Sequence, residues 1–198
     1  MALSASVLAS LIQSNLESQG ANGSNLKIFC SSIASGITMS IVGVAFVTAD
    51  VGLVAGVGAG IGTGITGLVS SNMVSSALNQ MSSQGSNAKP LMQAIMGAVV
   101  TELGNATLTT VDVPVFLGTG IVNVGSIAVI ESAMASNIST QLQSSGAKGA
   151  NISNLSKAIA TGICSQILSS GTGTVVITGS PTVPTPVSGT GVGTGIIS

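Results

Sequence analysis

Gly20-Ala21-Asn22-Gly23-Ser24-Asn25-Leu26 returns 126 residues later as Gly146-Ala147-Lys148-Gly149-Ala150-Asn151-Ile152. The agreement runs on without a gap, with Ile33-Ala34-Ser35-Gly36-Ile37 facing Ile159-Ala160-Thr161-Gly162-Ile163. Such a match is an internal repeat, and a repeat is read before any local pattern. A third copy is anchored by Gln80-Met81-Ser82-Ser83-Gln84 before Gly85, like Asn15–Gln19 before Gly20 and Gln141–Ser145 before Gly146. These glycines stand 65 and 61 residues apart. Sliding by those intervals aligns Leu8 with Met73 and Met134, Ile12 with Ala77 and Ile138, and Leu16 with Met81 and Leu142. An apolar residue at every fourth position makes one helical stripe, and glycine behind it suits the left-handed position that ends a helix. The second copy keeps the loop and an apolar helix through Leu91, Ile95 and Ala98, but diverges more.

Behind each second helix lies a β-branched run, Val42 to Val47, Ala106 to Val113 and Thr172 to Thr178, which is a strand signal. Each run is followed by Gly-Thr-Gly-Ile, at Gly62 to Ile65, Gly118 to Ile121 and Gly193 to Ile196. The expected fold class is therefore α+β, with three pseudo-repeats of about 63 residues, each a helical hairpin followed by a β-ribbon. The boundaries fall at 1–66, 67–127 and 128–198, the last ending in a Gly/Thr/Pro-rich β tail. Two short helices and a ribbon cannot bury their apolar faces alone, so neighbouring units are expected to complete one core in a single compact unit. Three copies are too few for a long solenoid, which favours pseudo-threefold packing.

Composition narrows the function. Of 198 residues, 45% are hydrophobic but only 5% are charged: four Lys, five acids, no Arg and no His. Typical domains carry about 25% charged residues, so Ser, Thr, Asn, Gln and Gly must supply the polar skin. Without His, Arg, Tyr or Trp there is little general acid/base chemistry to assign, and no enzymatic activity is expected. Lys27, Lys89, Lys148 and Lys157 are four scattered charges, not the basic footprint that nucleic acid requires, so no direct nucleic-acid partner is expected. A net charge of −1 favours association over colloidal stability.

Residues 51 to 70 are uncharged and long enough to span a bilayer. Seven of the twenty are Gly, however, and from Gly56 to Gly64 they fall at every second position, which is a β period. Membrane association is therefore disfavoured. No basic region precedes the first apolar residues, so no cleavable export signal is expected. Gly56, Gly58, Gly60, Gly62 and Gly64, with Gly189, Gly191, Gly193 and Gly195, place glycine on one strand face, where another backbone can approach closely. These nine positions are the expected assembly residues.

Other features weigh less. Gly62-Thr63-Gly64-Ile65-Thr66-Gly67 matches the dinucleotide pattern, but the acidic residue expected about 20 positions later is missing, so no cofactor is expected. Asp50 and Asp112 hold matching places after Thr48 and Thr110. Two such acids are thin support for a cation that takes six to eight oxygens, and no metal site is expected. Ser153-Asn154-Leu155-Ser156-Lys157 lacks the context of a Ser/Lys hydrolase, and the Asn-x-Ser/Thr triplets follow from composition. Cys30 and Cys164 read as thiols packing like small hydrophobes. Met73, Met81, Met92 and Met96 read as adaptable core filling, with a partner-binding groove as the other use of the same plasticity.

In its Ser/Gly/Thr-rich, His-free texture, and in ribbons such as Gly60-Ile61-Gly62-Thr63-Gly64-Ile65-Thr66-Gly67, the whole chain resembles small virion structural proteins of tailed bacteriophages. The resemblance implies a structural subunit of the virion, in a head-decoration, neck or tail position, partnered by copies of itself and other structural proteins. The alternative is an extracellular filament, coat or adhesive protein. A membrane pore or anchor and a nicotinamide-dependent enzyme stand further back.

Overall fold

The apolar stripes find their burial in helices. The computed structural model describes residues 3–42, 44–51, 58–65, 67–81, 85–112, 120–170, 173–178 and 190–197. Six helices carry the side-chain packing: α1 (Ala5–Ser18), α2 (Leu26–Ile41), α3 (Ser70–Gln80), α4 (Ala88–Gly104), α5 (Glu131–Ser144) and α6 (Ile152–Ser170). Each packs against the helices before and after it in the chain, and α6 returns to α1, closing a ring. The second helix of every unit buries the same stripe: Ile33, Ile37 and Ile41 in α2, Ile95, Val99 and Leu103 in α4, and Ile159, Ile163 and Ile167 in α6. Leu8, Ile12 and Leu16 on α1, Met73 and Ala77 on α3, and Met134, Ile138 and Leu142 on α5 meet them. Full burial of one such aliphatic side chain is worth roughly 1.5–3 kcal/mol.

This body overturns the α+β class expected from the sequence. It is all-helical, six helices in a ring, whose buried apolar residues lie on the helices and the segments that flank them. The physical reason is ring closure. Each apolar stripe gains helical neighbours on both sides, so no ribbon is needed to cover it. Periodicity announces that a stripe must be buried and leaves open what buries it.

The backbone between helices runs as β1 (Ala45–Val51), β2 (Gly58–Thr63), β3 (Thr107–Asp112), β4 (Gly120–Ala128), β5 (Gly173–Thr178) and β6 (Thr190–Ile197). Neighbours in the chain pair antiparallel, and β6 pairs with β1, so these strands close on one another as a barrel. Closure removes the free strand edges that would otherwise template aggregation. Ring and barrel thus close at the same point of the chain.

The hairpin turns show how the repeat is built. Gly20 (φ 87°) and Gly146 (φ 89°) sit in the left-handed region. Gly20 N–H donates to Glu17 and Ala21 N–H to Leu16, as Gly146 N–H does to Gln143 and Ala147 N–H to Leu142. That pair of bonds is the Schellman end of a helix. The second unit differs from the expected alignment: Ala88 N–H donates to the Gly85 carbonyl as Leu26 does to Gly23 and Ile152 to Gly149. Gly85 therefore takes the place of Gly23 and Gly149, and α3 ends one turn earlier than α1 and α5. With this shift Asn25, Asn87 and Asn151 coincide, as do Gly36, Ala98 and Gly162.

Candidate assembly surfaces

The glycines expected to mediate close backbone approach separate into two groups. Gly58, Gly60 and Gly62 lie on β2, and Gly191, Gly193 and Gly195 lie on β6; Gly56 and Gly189 fall outside the described residues. The register brings the two tracts, 130 residues apart in sequence, to either side of β1. Asp50 pairs with Gly60 on one side and Gly191 on the other, Thr48 with Gly193, and Phe46 with Gly195. The glycines of both tracts thus register against alternate residues of one strand. The sequence showed each tract but not their shared neighbour, because that adjacency depends on β6 closing onto β1.

Gly64 belongs to neither tract. It follows β2, is buried, and has φ 80°. A Cβ there would press on the Gly104 carbonyl at the end of α4. Its N–H donates to Ala106 at 2.8 Å, and Ile65 N–H donates to Leu103 at 3.0 Å. A phosphate at a glycine-rich loop needs free amides ahead of a helix, and these two are already engaged. The Gly62 to Gly67 pattern is thereby used to fasten a strand end to a helix end.

Charge is distributed along the molecule rather than around it. Lys27 and Lys89 are the second residues of α2 and α4, and Lys148 lies in the turn before α6. All three are exposed, at the end where the helical hairpins turn. Glu102 and Glu131 sit at the opposite helix ends, and Asp50 and Asp112 occupy β1 and β3 away from the helices. Each glutamate receives a hydrogen bond from an uncharged side chain: Glu17 from Gln13 at 2.7 Å, Glu102 from Asn137 at 3.1 Å and Glu131 from Thr161 at 2.7 Å. The last two tie α4 to α5 and α5 to α6. Asp50 and Asp112 lie on the two strands flanking β2, at the levels of Gly60 and Gly58. Among the described residues no group of three or more His, Cys, Asp or Glu could hold a metal ion.

Cys30 is buried on α2 and Cys164 half-buried on α6, both as free thiols. Burial pushes both up to about 11, with Glu17 adding to the shift at Cys30 and Glu131 and Glu102 at Cys164. An acid whose folded pKa is raised binds its proton more tightly when folded, so it supports the fold below its unfolded pKa near 9 and that support is lost as pH rises toward 11. Thermal melts should be level from pH 6 to about 8.5 and then decline, and the double variant Cys30→Ala, Cys164→Ala should decline less steeply. Equal slopes in the two proteins would show that the thiols play no part.

Met73, Met92 and Met96 are fully buried and Met81 packs partly buried against the same core, which makes them core filling. The exposed large apolar side chains lie elsewhere. Met39 (68% exposed) and Val42 close α2, Leu168 (72%) closes α6, and Val69 and Ile130 (69%) stand before α3 and α5. All five positions lie at the helix ends that adjoin the strands. Among the described residues no helix is long and apolar enough to cross a membrane. No family model, curated protein or solved structure matches the chain.

Proposed function

We propose that this chain is a non-enzymatic structural subunit of a large symmetric assembly, a virion component of a tailed bacteriophage in a head-decoration, neck or tail position. The observation that carries the reading is the set of exposed apolar side chains at the strand-side helix ends of a molecule with nine charged residues in 198. Exposed side chains such as Met39, Ile130 and Leu168 are costly in water at roughly 25 cal/mol per Å². Several of them on a poorly charged surface fit a protein that is covered by other protein when at work. Three helix pairs in a ring also suit a position on a threefold or sixfold axis, where one chain can stand in for three copies of a smaller one. The texture of the sequence, rich in Ser, Gly and Thr, agrees with that setting. Mass spectrometry of purified particles should find this protein at tens to hundreds of copies each. Its absence from such particles would overturn the reading.

A further inference from the structure

We propose that the first hairpin turn is a site of spontaneous covalent modification: Asn22-Gly23 converts through a cyclic imide, which leaves a carboxylate at position 22. The inference stands apart from the subunit reading above, since it concerns the chemistry of the turn itself. It is carried by an asparagine whose following amide is both unhindered and unbonded.

An asparagine cyclises when the amide nitrogen of the next residue reaches its Cγ, so the placement of that nitrogen governs the rate. The chain has eleven asparagines, and only Asn22 is followed by glycine. Asn22 and Gly23 are both exposed, in the connection between α1 and α2. Among the described residues nothing accepts a hydrogen bond from the Gly23 N–H. Gly23 stands at φ 144°, with nothing within 4 Å of where a Cβ would go. The ring has room to close there, and water has room to enter.

The other asparagines are held. Asn25, Asn87 and Asn151 each precede an amide that closes a turn: Leu26 N–H donates to Gly23, Ala88 to Gly85 and Ile152 to Gly149. Ala106 N–H, behind Asn105, donates to Leu103. Asn15, Asn72, Asn79, Asn137 and Asn154 lie within helices, where the next amide is bonded to the carbonyl four residues back. Asn123 lies on β4 before Val124, whose branched Cβ crowds the approach. The repeat sharpens the contrast, because the place of Asn22 belongs in the third unit to Lys148, whose side chain has no carbonyl to attack.

The conversion consumes one water and releases one ammonia, with no change of oxidation state. The Gly23 nitrogen gives its proton to a base and bonds to Asn22 Cγ; the Cγ–Nδ2 bond breaks and ammonia leaves. Water then opens the five-membered imide at either carbonyl. Opening at Cγ restores the chain with an aspartate, and opening at the main-chain carbon leaves an isoaspartate, with one more methylene in the backbone. Either product moves the net charge from −1 to −2, a large step on so poorly charged a surface. The new carboxylate stands beside Ala21, which with Gly20 and Lys148 lines a cleft of about 460 Å³ between the first and third units.

Peptide mapping by mass spectrometry of the full chain, kept folded at neutral and at mildly alkaline pH, tests this. Asn22 should change from amide to acid roughly tenfold faster than any other asparagine, and faster again in alkali, where the Gly23 proton is lost more readily. An isoaspartate-specific methyltransferase should label the aged chain. Asn22→Gln would have to close a less favourable six-membered ring, so this variant should stay unlabelled while keeping the wild-type circular dichroism. Wild-type protein unfolded in urea supplies a comparison that needs no variant. An Asn22 that stays intact in the folded chain, whether or not urea releases it, would overturn the proposal. So would an earlier conversion at another asparagine, or an Asn22→Gln chain labelled as fast as wild type.

Discussion

Gly64→Val is expected to destabilise the chain by about 2–6 kcal/mol, a large share of the roughly 5–15 kcal/mol that holds a domain together. Two terms add. The backbone at Gly64 has φ 80°, where a β-branched residue costs about 1–3 kcal/mol. The new Cβ would also meet the Gly104 carbonyl, which is backbone and cannot swing aside; overpacking of that kind costs about 1–3 kcal/mol more. Relief requires β2 to draw away from the end of α4, which breaks the Gly64–Ala106 and Ile65–Leu103 hydrogen bonds. Gly67 supplies the control. Its φ is 86°, with open space where a Cβ would go, so Gly67→Ala should show strain alone, about 1–2 kcal/mol. Urea denaturation of both variants separates strain from contact. A Gly64→Val midpoint near that of Gly67→Ala would show that the Gly104 contact is not tight.

The sequence made the repeat and the apolar stripes legible, since Ile33 and Ile37 return as Ile159 and Ile163 in the third copy and all four are fully buried. It misjudged the fold class, because the β-branched runs read as part of each packed unit. A ribbon and a neighbouring helix satisfy the same period of four, and only the return of α6 to α1 decides between them. The alignment at Gly85 went astray for a related reason. Ser-rich helix ends look alike at several offsets, and the hydrogen bond from Ala88 to Gly85 fixes the offset that composition leaves loose. The expected assembly residues were legible as tracts but not as a site. Gly64 turned out to serve the inside of the molecule, while Gly60 and Gly191 meet across β1 only because the barrel closes. The placement of charge needed the fold as well: Lys27, Lys89 and Lys148, far apart in sequence, gather where the helical hairpins turn, while Lys157 lines a cleft with Glu131.

Two further glycines, Gly36 and Gly162, set how closely the units approach, and Gly36→Val should cost about 3 kcal/mol. Both stand on the second helix of a unit and face the first helix of the next unit around the ring. A Cβ on Gly36 would lie 2.6 Å from the Met73 carbonyl oxygen and 3.2 Å from the Ala77 Cβ, and one on Gly162 would lie 2.7 Å from Ile12 Cγ1 and 3.0 Å from its nitrogen. The Met73 carbonyl is part of the α3 backbone, so α2 and α3 must move apart as wholes. Ile12 Cγ1 can rotate, so Gly162→Val should cost less, about 2 kcal/mol. Helix propensity works in the opposite direction, since replacing a helical glycine by Ala gains about 1 kcal/mol. A net loss in Gly36→Ala therefore means that the contact outweighs that gain. The third seat holds Ala98, fully buried between α4 and α5. Were close approach required equally at every junction, Ala98→Gly would be neutral or stabilising; with α4 and α5 already spaced for a methyl group, it should lose about 1 kcal/mol. Chemical denaturation of Gly36→Ala, Gly162→Ala and Ala98→Gly, measured side by side, tests whether two junctions are closed tighter than the third. A stabilised Gly36→Ala would refute the close contact, and a stabilised Ala98→Gly would show the three junctions to be alike.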